Sequence, residues 1–94
     1  MIIKSTLWRL DGDGVSWHFI SIPAEEAIEI RAHSLVGRGG FGSVRVEATV
    51  NGVSWRTSVF PQKSGGYLLP VKAEVRRRAG IGVDDEVTVE LVLL

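Results

Sequence analysis

The stretch VRVEATVNGVSWRTSVF, residues 44–60, predicts a β-hairpin. Over residues 44–50, valine and alanine alternate with arginine, glutamate and threonine, which is the period of a strand that buries one face. Asn51 and Gly52 follow, and this pair is the strongest short-range hairpin signal because both residues tolerate positive φ. The chain is therefore expected to return as a second strand through residues 53–60.

Four more strands are predicted on either side of this hairpin. Residues 6–10 and 15–22 predict two strands joined by a tight DGDG turn, and residues 67–69 and 87–93 predict two strands nearer the C-terminus. A chain dominated by hairpins hides its sheet edges most simply in a small closed β-barrel.

The first of two predicted helices begins near Pro23, which suits the first turn of a helix. Glu25 and Glu26 then lie where the helix dipole favours negative charge, and Gly37 ends the helix. The stripe predicted to be buried consists of Ala24, Ala27, Ile28 and Leu35.

The second predicted helix follows Pro70, spans residues 72–79 and ends at Gly80. Aligning Pro70 with Pro23 superimposes the two helices, and each is followed by a glycine-containing loop and a V-x-V strand. The tetrapeptide GVSW also occurs twice, at residues 14–17 and 52–55. These repeats predict two similar β-β-α-β halves.

The composition is that of one ordinary globular domain, residues 1–94. Hydrophobic residues are 45% and charged residues 23% of the chain, which excludes a disordered protein, and the length excludes a protein kinase. The absence of cysteine excludes a disulfide framework and a cysteine-ligated zinc site, and it fits a cytoplasmic protein. We expect no signal peptide or membrane span at the N-terminus, because MIIKSTLWRL places a charge at Lys4.

Charge is unevenly distributed along the chain, although the formal net charge is zero. Residues 38–78 carry eight Lys or Arg against two Glu, a balance of +6, whereas residues 1–37 sum to −2 and residues 79–94 to −4. This asymmetry indicates either a basic face for an anionic partner or strands of opposite charge that neutralise one another in the sheet.

Two families resemble this chain. The run YLLPVKAEVRRRAGIGVDDEVTVEL, residues 67–91, resembles the strand, proline, helix, loop and strand unit of the swapped-hairpin regulators and antitoxins of the AbrB type. The whole chain resembles more closely the bacterial domain-of-unknown-function family numbered nineteen-oh-five. The motifs that carry this second resemblance are WHFISIP, GFGSV, WRTSVFP and GYLLPVKAEVR, at residues 17–23, 40–44, 55–61 and 66–76.

The second resemblance implies a double-split β-barrel related to the AbrB fold, with both halves in one chain. We therefore predict a mostly β fold, a small closed double-split β-barrel of about six or seven strands with two short α-helices and pseudo-duplicated β-β-α-β halves. The resemblance implies no activity and no catalytic residue. The chain has Asp84 and Asp85 where the family usually has Gly-Asp, and we expect the turn to be kept because aspartate tolerates positive φ.

Residues 37–44, GRGGFGSV, match the glycine-loop pattern that protein kinases place over the phosphates of ATP. The following strand has no lysine to hold phosphates, and the chain lacks the H-R-D and D-F-G motifs. A dinucleotide fingerprint needs a strand before the glycines and a helix after them, the reverse of the predicted order. We therefore predict a loop that returns the first helix to the barrel, with no nucleotide or other cofactor.

Three further features are weak as candidate sites. The DGDG segment, residues 11–14, begins like a calcium loop, but its twelfth position is Ile22 where a bidentate Glu is required, so a hairpin turn is predicted. His18 and His33 have no carboxylate neighbours at ligand spacing and are expected at the surface or barrel edge. No metal site is predicted, and no catalytic residue is predicted because no serine lies in a G-x-S-x-G motif.

Two sets of residues remain as candidates for binding. The set that offers hydroxyls, cations and an aromatic ring to a small anion at one barrel mouth is Arg56, Thr57, Ser58, Lys63, Tyr67 and Lys72. The set that offers a basic patch to nucleic acid is Lys72, Arg76 and Arg77. Helical spacing requires at least one of the three consecutive arginines at 76–78 to lie near the barrel. The alternatives are hydrogen-bonded strand hydroxyls and a solvated helix face partly paired with Glu74.

Two functions follow from these candidates. The first is a soluble, non-enzymatic binding module for a small anionic ligand or a protein partner. The second is an AbrB-like DNA-binding or antitoxin-type protein, and an enzyme has less support than either. We expect a cytoplasmic monomer or weak homodimer with no membrane partner.

Overall fold

A computed structural model of the chain describes residues 1–38 and 42–94. Their elements are β1 (Ile2–Asp11), β2 (Ser16–Ile22), α1 (Ile28–Arg38), β3 (Val44–Val50), β4 (Val53–Pro61), β5 (Tyr67–Pro70), α2 (Ala73–Ala79) and β6 (Glu86–Leu93). Every predicted strand and helix is present, and β1 begins four residues earlier than predicted. The predicted glycine loop has its centre, residues 39–41, outside the described residues. Neither helix in the described part of the chain is long and apolar enough to cross a membrane.

The strands close into a barrel in the order β1-β2-β5-β4-β3-β6. All six pairings around the barrel are antiparallel. Exchanging β1, β2 and β3 with β4, β5 and β6 leaves the neighbours of every strand unchanged. The mostly β fold, the closed barrel and the duplication of a β-β-α-β unit are therefore confirmed.

The β3–β4 hairpin follows the pattern that the sequence predicts. Alternate side chains of β3 are buried, and the turn residues Asn51 and Gly52 have φ angles of 50° and 78°. Both angles lie in the left-handed region that this turn requires. The largest side chains fully buried in the barrel and beneath the helices are Ile3, Leu7, Ile20, Ile22, Ile30, Leu69 and Leu91.

The second helix, α2, is fixed at its C-terminal end. Val75 and Ala79 are buried, and Gly80 ends the helix in the left-handed conformation with φ of 68°. The side-chain amide of Asn51 donates a hydrogen bond of 2.9 Å to the carbonyl of Ala79. The turn of the β3–β4 hairpin therefore supplies one of the partners that the end of a helix needs.

The buried stripe predicted for the first helix is correct in part. Ala27 is buried as predicted, but Ile28 and Leu35 are 60% and 53% exposed, and Ile30 is buried in their place. Around an α-helix Ile28 is rotated by about 100° from Ala27 and by about 200° from Ile30, so Ile28 cannot share their buried face. The apolar residues of α1 allow either face, and packing against the barrel selects the face that contains Ile30.

Pro23 begins a turn and does not begin the helix. The N–H of Glu26 donates to the carbonyl of Pro23 at 3.0 Å, which is the tighter spacing common just before an α-helix. A bond of α-helical spacing runs from the N–H of Arg31 to the carbonyl of Ala27 at 2.9 Å. The prediction that Glu25 and Glu26 lie in the first turn of the helix is therefore wrong, because both precede α1.

The turn before β6 keeps its shape despite the aspartates. Asp84 has φ of 74°, as expected for a residue in the usual place of glycine. Its N–H donates to the carbonyl of Leu7 at 2.8 Å, and the N–H of Leu7 donates to the carbonyl of Asp85 at 3.0 Å. These two bonds join the turn to β1.

Candidate functional site

Two clefts lie beside the helices, and each is lined by residues of both halves of the molecule. The α1 cleft, of about 350 Å³, lies between α1, the β4–β5 loop and the start of β5. The α2 cleft, of about 290 Å³, lies between the start of β2, the end of β5 and α2. Exchange of the two halves replaces α1 by α2 and β5 by β2, so the clefts occupy related positions.

One wall of the α1 cleft is the tight β4–β5 loop, residues 62–66. The N–H of Gln62 donates to the carbonyl of Gly66 at 2.9 Å, and the N–H of Gly65 donates to the carbonyl of Gln62 at 3.0 Å. Gly65 has φ of 95°, which favours glycine. A Cβ atom on Gly66 would overlap the carbonyl oxygen of Ile22. Glycine therefore allows the loop to lie this close to β2.

Arg31 joins the helix of the first half to this loop of the second half. Its Nη1 donates a hydrogen bond of 2.7 Å to the carbonyl of Gly65. A guanidinium carries five N–H donors, so one such bond orients the group and leaves further donors for a ligand. Lys63 lines the same cleft and is exposed. Leu35 and Tyr67 give the cleft apolar surface.

The α1 cleft therefore combines positive charge with apolar walls. Its described lining residues include Arg31 and Lys63 and no aspartate or glutamate. Guanidinium and ammonium groups donate charge-assisted hydrogen bonds to carboxylate and phosphate oxygens. The arrangement suits a ligand that has an anionic group at one end and an apolar body at the other.

The α2 cleft has an aromatic side that the β1–β2 hairpin provides. Trp17, 45% exposed, and Phe19 both line the cleft. The ring of Phe19 packs against Trp8 with 5.3 Å between centroids, and Trp8 donates through Nε1 to the hydroxyl of Ser21 at 2.9 Å. These contacts hold the start of β2 in place beside the cleft.

Two cations, Lys72 and Arg76, line the α2 cleft. The Nη1 of Arg76 donates a hydrogen bond of 2.6 Å to the carbonyl of Val71. The N–H of Val71 in turn donates to the carbonyl of His18 at 2.9 Å. These two bonds connect Arg76 of α2 and His18 of β2 to Val71. Lys72 is exposed.

His18 is the titratable group of the α2 cleft with a shifted pKa. Burial lowers its pKa below the ordinary 6.5, the charges of Arg76 and Arg9 lower it further, and Asp11 acts in the opposite direction. The Nδ1 atom is inaccessible to solvent and has no hydrogen-bond partner among the described residues. The ring is therefore neutral at pH 7 and has an unsatisfied nitrogen.

The DGDG segment forms the predicted hairpin turn. The N–H of Gly12 donates to the carbonyl of Val15 at 2.8 Å. Asp11 is engaged within the same hairpin, because its Oδ1 lies 3.1 Å from Nε of Arg9 and accepts a hydrogen bond of 2.9 Å from the hydroxyl of Ser16. Its carboxylate therefore partly neutralises the charge of Arg9 near the α2 cleft.

The structure divides the six residues predicted to bind an anion. Lys63 and Tyr67 line the α1 cleft, and Lys72 lines the α2 cleft. Three residues of β4 line neither cleft, and they are Arg56, Thr57 and Ser58. Successive side chains of a strand point to opposite faces, so these three do not converge. The set does not share one mouth of the barrel, and binding of an anion by any member stays a prediction.

The predicted nucleic-acid set also divides. Arg76 is the arginine of the three that is half-buried beside the barrel, as the helical spacing requires, and its guanidinium bonds a backbone carbonyl. Lys72 and Arg77 are exposed. Arg78 is exposed too, and its Nη1 lies 3.9 Å from Oε1 of Glu74.

Sequence reasoning missed Arg31 and undervalued His18. Arg31 aligns with Arg78 in the repeat, but nothing local indicates that it contacts a loop 34 residues away. For His18 a signal existed, because it lies two residues before the buried Ile20 and so shares the inward side of β2. His33 is exposed as predicted, with its Nε2 3.1 Å from a backbone carbonyl.

A family model described as Domain of unknown function (DUF1905) matches residues 4–91. The match spans nearly the whole chain and confirms the family resemblance drawn from the four sequence motifs. No curated protein matches the chain. The family description assigns no activity, and a fold by itself does not define one.

Proposed function

The chain belongs to the DUF1905 domain family, and we propose that it is a non-enzymatic binding module whose α1 cleft takes a small ligand with one anionic group. The observation that carries this proposal is the placement of Arg31. Its guanidinium is held at the cleft by the carbonyl of Gly65, and Lys63 lies on the same cleft. A ligand oxyanion would meet a guanidinium that is already oriented, so less ordering is needed on binding.

The cleft also limits the ligand. Its volume of about 350 Å³ is near the lower end of small-molecule sites. Leu35 and Tyr67 give it apolar surface, which favours a ligand with an aromatic or short aliphatic body attached to a carboxylate or phosphate. A protein partner stays the alternative occupant, and an acidic side chain would then take the place of the ligand's anionic group.

Thermal denaturation in the presence of benzoate, hexanoate and phenyl phosphate, with neutral benzamide for comparison, tests the proposal. A ligand at a hundredfold excess over its Kd stabilises the fold by about 2.7 kcal/mol. For a domain of this size each kcal/mol raises Tm by roughly 4–8 °C. We expect the anions to raise Tm and benzamide to leave it unchanged.

Two variants locate the effect. Arg31→Gln is expected to abolish the increase in Tm, because it removes the oriented guanidinium. Arg77→Gln is the matched control, since it removes an exposed arginine outside the α1 cleft and is expected to keep the increase. An equal loss in both variants, or no increase with any anion, would count against small-anion binding and leave the protein partner.

The DNA-binding or antitoxin-type alternative uses Lys72, Arg76 and Arg77. The exposure of Lys72 and Arg77 favours it, whereas Arg76 already bonds a backbone carbonyl. Binding through phosphates must weaken steeply as salt increases. Fluorescence anisotropy of a labelled DNA duplex at two salt concentrations measures this, and Arg77→Gln is expected to reduce binding only if this alternative holds.

The remaining predictions rest on the sequence. They are an AbrB-like relationship, a bacterial origin, a cytoplasmic location and a monomer or weak homodimer. Analytical ultracentrifugation tests the last of these, because a weak homodimer shows a sedimentation coefficient that increases with concentration.

A further inference from the structure

The end of the β1–β2 hairpin carries an apolar surface that the proposed function does not use. Leu10, Val15 and Trp17 are 50%, 52% and 45% exposed. Leu10 and Trp17 lie directly opposite one another in the strand pairing, so their side chains share one face of the hairpin. A Cβ atom on Gly12 would lie within 4 Å of the side chains of both Val15 and Trp17, which places these two side chains next to each other. We call the three apolar side chains the hairpin patch.

This end of the hairpin lies beyond the strands that flank it in the barrel. β6 pairs with β1 over residues 2–6, and β5 pairs with β2 over residues 19–22. Leu10 and Trp17 lie outside both ranges. Tryptophan is usually well buried, and it is enriched at the interfaces between proteins. An accessible apolar surface at the end of a hairpin is therefore typical of a contact with another protein.

The hairpin patch lies between an acidic and a basic group. Asp13 follows Gly12 in the turn, and the indole of Trp17 lies over Gly12. Trp17 also lines the α2 cleft together with Lys72 and Arg76. Asp13 and Lys72 are exposed, and neither side chain has a salt bridge or a hydrogen bond to another described residue. Both charges are therefore available to a partner.

We propose that the hairpin patch is the contact between two copies of this chain in a weak homodimer. A two-fold axis through the patch places the apolar side chains of one copy against those of the other. The same rotation reverses the order of the charges, so Asp13 of each copy approaches Lys72 of the other. The contact does not involve Arg31 or the α1 cleft, so it does not depend on the ligand proposed there.

The charges of the chain favour a second copy over nucleic acid as the partner. Lys72 and Arg76 attract phosphates, but Asp11 and Asp13 at the other side of the patch repel them. The formal net charge of zero leaves no long-range repulsion between two copies. A stable dimer buries about 800 Å² on each partner. Three apolar side chains and their flanking charges supply less than this, so the dimer is expected to be weak.

Sedimentation velocity of the full chain between about 10 μM and about 1 mM tests the proposal. We expect the weight-average sedimentation coefficient to increase with concentration. Trp17→Thr keeps a residue suited to a strand and is expected to weaken association at least about tenfold, because an aromatic anchor is lost. Val92→Thr is the matched control, since Val92 is exposed on β6 near the opposite end of β1 and its loss is expected to leave association unchanged.

Two charge reversals test the two-fold arrangement. Asp13→Lys and Lys72→Glu each bring like charges together at both contacts of the dimer, and each is expected to weaken association at least about fivefold. Both residues are exposed, so both variants are expected to fold. An equimolar mixture of the two variants restores opposite charges at both contacts and is expected to associate as the wild type does.

Three outcomes would overturn the proposal. They are a wild type that stays monomeric up to about 1 mM, equal association of Trp17→Thr and the wild type, and a mixture of the charge variants that associates no more strongly than either variant alone. A monomeric wild type would leave the hairpin patch to a different protein partner. None of these outcomes affects the increase in Tm expected from anions, so failure of the dimer and failure of the ligand site are distinguishable.

Discussion

Each helix carries an arginine that donates to a backbone carbonyl, yet the two carbonyls lie in different places. Arg31 of α1 bonds Gly65, 34 residues away in the other half, whereas Arg76 of α2 bonds Val71, five residues earlier. The position of Arg31 therefore depends on the assembled barrel. The position of Arg76 depends on a short local segment.

The difference shows which features the two halves of a duplicated fold share and which features differ between them. Exchange of the halves preserves every strand neighbour, because strand pairing relies on backbone groups that all residues share. The side chains of the helices are not part of that ladder, so the two halves present different chemistry at related clefts. The α1 cleft pairs arginine and lysine with apolar walls, and the α2 cleft adds a buried histidine nitrogen.

The largest expected effect tests which face of α1 packs on the barrel. Ile30 is fully buried, so Ile30→Ala is expected to lower the free energy of unfolding by about 3 kcal/mol, through lost burial and a residual cavity. Ile28→Ala removes the same atoms from an exposed position on the same helix and is expected to change it by less than about 0.5 kcal/mol. Urea denaturation measures both, and equal losses would show that the buried face of α1 is misassigned.

A smaller loss is expected from the loop that receives Arg31. Gly66→Ala places a Cβ against the carbonyl oxygen of Ile22, and we expect a loss of about 2 kcal/mol in the free energy of unfolding. Gly42→Ala is the matched control, because an added Cβ there has no atom of the other described residues within 4 Å. Should both variants unfold at the same urea concentration as the wild type, the close approach of this loop to β2 would be ruled out.

The last prediction concerns pH and the α2 cleft. Because the pKa of His18 is lowered on folding, the unfolded chain binds the proton more readily. Stability is therefore expected to decrease as pH falls below 6.5 and through the lowered pKa of the folded state. His18→Gln removes this contribution and His33→Gln keeps it, as measured by urea denaturation at several pH values. A wild type and a His18→Gln variant with parallel pH dependence would contradict the prediction.

Local backbone conformations were predicted correctly from the sequence. Asn51 and Gly52 form the predicted turn, Gly80 ends α2 in the left-handed conformation, and Asp84 adopts the positive φ expected of it. Each of these outcomes depends on the conformations that one or two residues allow. For that reason these conformations could be predicted without knowing which strands lie next to one another.

Predictions that required packing were less successful. Ala27 is buried as expected, but Ile28 and Leu35 were expected to be buried and are exposed, because the apolar residues of α1 permit more than one buried face. The anion set likewise divides between the two clefts and β4, since Lys63 and Lys72 lie on different sides of β5. The two lysines flank β5 closely in sequence, but the sequence does not reveal on which side of this short strand each flanking segment lies.

The sequence by itself determined the strands, the turns, the two helices, the duplication and the family, because these follow from periodicity, from backbone preferences and from motifs in fixed order. Only the tertiary structure decided which helix face is buried and which cations share a cleft. It also decided that Arg31 bonds Gly65 and that Nδ1 of His18 has no hydrogen-bond partner within residues 1–38 and 42–94. Those features depend on barrel closure, which brings residues that are far apart in the chain next to one another and buries some of their atoms.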